Sequence, residues 1–423
     1  MTVSDITYKN YVQILTEELI PAMGCTEPIA IAYAAAKARA VLGELPAEMT
    51  VSVSGNIIKN VKSVVVPHTG GLRGIISAAA AGAVAGQADR ELEVISDVTD
   101  KQIEDIKHYL QSATIRVEHA DTPHIFDIMI TATGSNHTSF VRIAEHHTNL
   151  VCIQKDGVIL FEKQIEQKEN GLTDRSFMSV ESIIEFADCV NTQDVAAVLE
   201  RQIDYNMAIA EEGLKNPYGA NIGKTLLKNH GSDLSYKMRA YAAAASDARM
   251  NGCEKPVIIN SGSGNQGITT SVPVIVYARE MGFSHEELLR GLCVANLVTS
   301  HLKTGIGRLS AYCGAVSAGC GAAAGICYLQ GGRFHAIAHT VVNALAMDSG
   351  IVCDGAKASC AAKISSAIDA GLLGLEMYRS GDQFYGGDGL VKKGVENTIA
   401  TIGRLAQKGM ATTDKEIIRL MME

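Results

Sequence analysis

Three cysteines in the last third of the chain, Cys313, Cys353 and Cys360, carry the chemistry most worth following. Three thiolates gathered from one packed region can hold an iron–sulfur cluster, and a cluster held at three corners leaves one iron open. An open iron is a Lewis acid that takes a substrate rather than relaying an electron. Cys353 and Cys360 stand in CDGAKASC, where Asp354 and Gly355 mark a turn directly after the first thiol. Cys313 stands in AYCGAVSAGCGAAAGIC, where Cys313, Cys320 and Cys327 follow one another every seven residues and share one helix face. Against ligation stands simple packing, because free cysteine is a small, readily buried hydrophobe and this run is rich in Ala and Gly. Spacing alone does not choose between Cys313 and Cys320.

A second group of residues could receive a small anion. SGSGNQG follows the strand-like PVIIN and formally matches a dinucleotide fingerprint, but Pro273 comes soon after and no βαβ unit with an acidic strand end follows. Backbone N–H groups with Ser261, Ser263, Asn265 and Gln266 suit a substrate carboxylate at a helix start better; the competing reading is a tight turn that needs glycine. Lys357, between the two cluster cysteines, and Lys303 in SHLKTG could pair with a carboxylate or, in a rival scheme, form a Schiff base. For Lys357 the simpler role is a charge near an anionic cluster or substrate. GANIGKT has a tyrosine where a phosphate loop has its first glycine and reads as a loop before a helix, while HAIAH lacks the acidic residue of zinc-protease helices. His146 and His147 point to different sides of any regular element and read as surface.

The elements that must position these groups form an α+β chain. Two helices, around 11–20 and 27–42, are broken at PAMGCTEP, with Thr26 as cap and Pro28 in the first turn of the second. From Met49 the texture becomes β-branched and alternating, as in VSVSGNIIKNVKSVVV, RELEVIS, ATIRVEHA and HIFDIMITATG, with helical patterns at 72–88 and 100–112 between them. After about residue 175 the pattern is almost wholly helical. The expected organisation is a discontinuous helical unit, 1–47 plus 176–423, carrying the cysteines, with a smaller α+β unit, 48–175, inserted. Residues 309–332 hold no charge, but their Gly, Ala, Ser and Cys would gain little in lipid, and a buried central helix is expected instead.

Composition narrows the setting. The 423 residues can bury a large core, and the net charge of −9 without any Lys/Arg-rich run excludes a nucleic-acid partner. Ten cysteines and no basic-then-apolar leader place the chain in the reducing cytoplasm with no membrane partner. Low aromatic content and an apolar helical core are compatible with a homodimer.

Taken together, CDGAKASCA, AYCGAVSAGCGAAAG, the N-terminal PAMGCTEP and SGSGNQG resemble the L-cysteine desulfidase family, a relative of the iron–sulfur L-serine dehydratase α chain. The resemblance spans essentially the whole chain. It implies a [4Fe–4S] cluster held by Cys313, Cys353 and Cys360, which selects Cys313 over Cys320, and an acid/base role for Cys25. It further implies a small amino-acid substrate: conversion of L-cysteine to pyruvate, ammonia and hydrogen sulfide without pyridoxal phosphate. The serine-rich loop before His-Thr that belongs to serine dehydratases is reduced here to PHTGG, which weakens the serine reading. His68 of that loop is the rival base, since imidazole titrates near neutral pH, and Thr69 is a further candidate substrate contact. Cys25, in a turn before a helix, suits a base on its own account, because unpaired N–H groups and the helix dipole stabilise a thiolate. An L-serine dehydratase and a non-catalytic cluster-based cysteine or redox sensor are the alternatives.

Overall fold

Hydroxyl and carboxylate side chains begin the helices, each accepting from a first-turn N–H: Ser4, Thr99, Ser179, Asp233, Ser263 and Ser284 all do so. The computed structural model describes residues 4–23, 26–165, 172–307 and 310–423. In chain order the first part runs α1 Asp5–Glu18, β1 Pro21–Met23, α2 Thr26–Leu42, β2 Glu48–Val53, α3 Gly55–Val61, α4 Gly74–Ala85, α5 Asp100–Ser112, β3 Thr114–His119, β4 Asp127–Thr133, β5 Thr138–Ala144, β6 Leu150–Lys155 and β7 Val158–Glu162. The second part is helical around one short strand: α6 Val180–Cys189, α7 Gln193–Lys215, α8 Ile222–His230, α9 Leu234–Met250, β8 Pro256–Ile258, α10 Gly264–Met281, α11 His285–Ile306, α12 Gly314–Leu329, α13 Phe334–Asp348, α14 Cys360–Arg379, α15 Val395–Arg404 and α16 Ala411–Met422. The fold is α+β with a mainly helical body, as its sequence texture implies.

Six strands form one mixed sheet in the order β3-β2-β4-β5-β6-β7, in which only the β2–β3 pair is parallel. β1 and β8 form a separate antiparallel pair, with Met23 opposite Pro256 and Pro21 opposite Ile258. Two expected strands are not strands. NIIKNV is helix α3, because Ser54 and Gly55 break the extended run after Val53, and RELEVIS begins in a 3-10 turn, Ala88–Glu93, with no strand following. Pro273 lies inside α10.

The apolar residues bury themselves in two cores. One joins α1 to the helices from α6 through α15. The other joins α2, α3, α4 and α5 to the sheet and receives Ile418 from α16. Helix α2, expected with the helical unit, therefore packs with the sheet: Ala30, Ile31, Ala34, Ala35 and Ala38 are all fully buried, and Gly82 of α4 lies so close that an added Cβ would stand 2.0 Å from the Ala32 carbonyl. On packing, the crossover falls between α1 and α2 rather than at residue 47. The uncharged helix α12 is the centre of the helical body, packed on α10, α11, α13 and α14. Its glycines permit this: a Cβ at Gly319 would stand 2.3 Å from the Ala367 carbonyl of α14. Among the described residues no helix is long and apolar enough to cross a membrane.

Candidate active site

The three cysteines meet because two chain segments pair. Tyr312 and Val352 form an isolated antiparallel bridge, the Cys313 N–H donates to the Ile351 carbonyl at 3.0 Å, and the Cys353 N–H donates to the Ala311 carbonyl at 2.6 Å. Cys313 is the N-cap residue of α12, and Cys360 opens α14 with its N–H on the Lys357 carbonyl at 3.0 Å. All three thiols are free and half-buried, whereas Cys293, Cys320 and Cys327 are fully buried inside helices. Burial, together with the thiols of Cys353 and Cys360, pushes Cys313 up to about 12, and burial also raises Cys360 against the pull of Lys357. Metal ligation by such thiols would release protons.

These residues fit a cluster better than a single ion. Among the described residues no three His, Cys, Asp or Glu side chains converge closely enough for one metal ion. A cluster instead offers a separate iron to each thiolate, which sets its ligand sulfurs farther apart. The loop between Cys353 and Cys360 is held in one shape. Gly355 adopts φ +91°, and an added Cβ would stand 1.8 Å from the Lys59 carbonyl, so only glycine lets this loop lie against α3. The site thus sits where the two cores meet.

Four lysines surround it. Lys357 donates to the carbonyls of Asp354 at 3.1 Å and Gly355 at 3.2 Å and pairs with the Asp354 carboxylate, so it knits the turn together. Lys363 pairs with the same carboxylate and donates to the Val352 carbonyl at 2.8 Å. Lys59 on α3 pairs with Asp414 of α16 at 2.5 Å. Lys303 on α11 is buried beside Cys353 and Cys313. Lys59 and Lys363 were not singled out from sequence, because only the folded chain brings α3 and the first turn of α14 to the cysteines.

The SGSGNQG loop reaches the same place through one residue. The Gln266 side chain covers Gly314, where an added Cβ would stand 2.5 Å from its amide carbon, and its buried Oε1 has no hydrogen-bond partner among the described residues. Gln266 therefore presents an unsatisfied acceptor at the start of α12, next to Cys313. The other three loop residues are committed to structure. Ser263 caps α10 by accepting from the Gln266 N–H at 3.4 Å, the Ser261 hydroxyl donates to Asn260 Oδ1 at 2.8 Å, and Asn265 Oδ1 accepts from Arg249 at 3.3 Å. Ser261 has φ +50°, and its N–H is held by Glu18 of α1 at 2.6 Å. Behind the loop, buried Asn260, Asn296 and Gln202 bond one another at 2.8–3.0 Å. This satisfied amide network, unmarked by any sequence motif, holds the turn rigid.

The remaining expected residues are placed as follows. Cys25 lies outside the described residues. His68 adopts φ +57°, is exposed, and has Nδ1 3.3 Å from Glu254 Oε1; Thr69 is fully buried with its hydroxyl donating to the Val66 carbonyl at 2.7 Å. Thr26 is the first residue of α2 rather than its flanking cap, and its hydroxyl lies 2.9 Å from His147 Nε2. His147, expected at the surface, is half-buried against Phe126, and burial lowers its proton affinity despite Glu27 nearby. At GANIGKT the Gly223 N–H is taken by Asp247 at 3.1 Å, which leaves a carboxylate where a phosphate would sit, and His339 stacks on Tyr378.

The family model described as serine dehydratase alpha chain matches residues 89–419, and that family suggests a lyase-type enzyme. The chain belongs to the serine dehydratase α-chain family. It is 57% identical over 419 residues to a UPF0597 protein of Desulfitobacterium hafniense, covering 99% of this chain and 97% of that one. It is 48% identical over 430 residues to a UPF0597 protein of Treponema denticola, covering 100% of both, and 49% identical over 415 residues to one of Lachnoclostridium phytofermentans, covering 98% of this chain and 100% of that one. The matched span contains the cradle, Lys303 and Gln266; Cys25, Lys59 and His68 precede it.

Proposed function

We propose that this chain is an iron–sulfur lyase that removes the β-substituent of L-cysteine, giving pyruvate, ammonia and hydrogen sulfide. The observation that carries the reading is the unsatisfied Gln266 acceptor beside Cys313, which joins a polar loop to the thiol cradle. Cys313, Cys353 and Cys360 would hold a [4Fe–4S] cluster, which when bound supplies a Lewis-acidic open iron for the departing sulfur. Gln266 Oε1 suits the substrate ammonium, since it can only accept. With the ammonium held there, the α-C–H is oriented for a base, which the resemblance assigns to Cys25. Loss of the α-proton and of the β-sulfur as hydrosulfide leaves aminoacrylate, and tautomerisation followed by addition of one water gives pyruvate and ammonium. Ser263 and Glu18 act indirectly, by fixing the loop that aims Gln266.

L-serine is the second reading, favoured by the description of the matching family. Hydroxide leaves less readily than thiolate, so that reaction would depend more heavily on the cluster. Anaerobically reconstituted protein should release sulfide and pyruvate in equal amounts from L-cysteine, with much less pyruvate from L-serine, and Cys25→Ser should keep its iron while losing most turnover. Pyruvate chiefly from L-serine would move the enzyme to the dehydratases. A cluster-loaded protein that turns over neither substrate would favour the sensor.

A further inference from the structure

The six-stranded sheet has two edges of opposite character. Along β3, at one edge, Arg116, Glu118 and His119 stand exposed and guard against pairing with another strand. At the other edge β7 has β6 as its one strand neighbour among the described residues, and all five of its residues are exposed. Four of them are large and apolar: Val158 is 63% exposed, Ile159 52%, Leu160 59% and Phe161 43%. The reach of the helix layer explains this. Helix α2 lies over β4 and β5 and touches β6; Ile153 of β6 still packs on that core, while Phe161, opposite it on β7, lies beyond. Four side chains about half exposed leave on the order of 400 Å² of apolar surface, an amount that marks an interaction site rather than scatter. A strand with one neighbour also leaves the N–H and C=O groups of its outer side open to a further strand.

We infer that β7 docks on the β7 of a second copy of this chain, antiparallel across a two-fold axis, so that two six-stranded sheets continue into one. The two edges decide the occupant. Pairing β7 with the β3 of another copy would propagate without closing, and the charges on β3 oppose it, whereas β7 against β7 closes at two copies. Charge also sets the register, because a two-fold axis normal to the sheet makes one residue face its own copy. An axis at Ile159 would place Asp156 opposite Glu162 and Lys155 opposite Lys163, like charge against like. An axis at Phe161 would place Glu162 on Leu160 and Lys163 on Ile159. An axis at Leu160 pairs Leu160 with itself and Ile159 with Phe161, and leaves Glu162 and Lys163 at the two ends, opposite Val158 and Gly157. Two copies would bury on the order of 800 Å² of apolar surface, short of the roughly 1,200–2,000 Å² of a standard stable interface, so the dimer is a reversible one. This inference does not depend on the iron–sulfur reading.

The test follows the average mass of the full-length protein by sedimentation from low-micromolar to submillimolar concentration, for wild type, Leu160→Lys, Leu160→Glu and an equimolar mixture of the two variants. Wild type should rise from monomer toward dimer. Each variant alone should stay monomeric, because residue 160 then opposes its own charge, and should melt at the wild-type temperature, because this side chain is exposed. The mixture should recover the dimer, since lysine then faces glutamate. Wild type that stays monomeric throughout overturns the inference. So does a Leu160→Lys protein that dimerises as wild type does, which would place the interface elsewhere, and so does a mixture that stays monomeric, which would deny that residue 160 faces itself. Sedimentation with phosphatidylcholine–phosphatidylglycerol vesicles completes the test: monomeric wild type that binds them through β7, with Leu160→Glu unbound, would assign the strand to a lipid surface instead.

Discussion

Helix α12 carries the same residue type at its start and in its middle, in different circumstances. Cys313 at its N-terminus is half-buried and meets two thiols from another segment, whereas Cys320, two turns further in, is buried among helices with no other thiol facing it among the described residues. Burial raises both thiols, and it raises Cys293 to about 12 and Cys327 to about 11 as well. A raised thiol is therefore no mark of function in this chain. What separates Cys313 is convergence: a backbone bridge from Tyr312 to Val352 delivers Cys353, and the turn through Gly355 delivers Cys360. The candidate site lies where segments end, and packing where a helix continues.

Glycines at the two places sharpen that contrast. Gly355→Ala forces a Cβ toward the Lys59 carbonyl at a φ of +91°, and Gly319→Ala forces one toward the Ala367 carbonyl inside the helix bundle. Gly355→Ala should have the larger effect, because displacing the loop moves two ligands. It is expected to lower stability by about 2–4 kcal/mol and to abolish iron retention per folded chain. Gly319→Ala should cost about 1–3 kcal/mol by overpacking while its folded fraction keeps its iron. Thermal melts with iron and labile-sulfide content separate the two; equal iron loss in both would erase the distinction between the start of α12 and its middle.

A smaller effect is expected at Asp348, which lies near Cys320 and Tyr312 on the packed side. Burial, with Asp369 adding, raises its carboxyl to about 6, and its Oδ2 has no partner among the described residues. The folded state therefore keeps a proton that the unfolded state releases, so stability falls as pH rises from the usual carboxylate range through about 6. Asp348→Asn should gain about 1 kcal/mol at pH 7, discounted for partial exposure, and nothing near pH 3. Melting curves across that range give the sign directly. Iron content should stay unchanged, because this side of α12 is packing.

Much of this was legible in sequence. The uncharged central helix and the helical texture after residue 175 depend on local pattern, and local pattern survived folding. Tertiary contact decided the rest. NIIKNV has a strand's composition but forms α3, whose Gly55 is packed against Ile418 of α16. Helix α2 is so rich in alanine that nothing in it announces whether it faces a sheet or a bundle. The loop SGSGNQG offered four polar side chains of equal standing, and only the hydrogen-bond partners show that three are occupied and Gln266 is free. Lys59 carried no motif; its importance comes from a glycine almost 300 residues later resting on its carbonyl.

The central claim is that Cys313, and not Cys320, joins Cys353 and Cys360 around a cluster. Cys313→Ser and Cys320→Ser should be reconstituted anaerobically beside wild type, and iron and labile sulfide measured per folded chain. The account predicts about four irons in wild type and in Cys320→Ser and a small residue in Cys313→Ser. Iron kept in Cys313→Ser and lost in Cys320→Ser would contradict it.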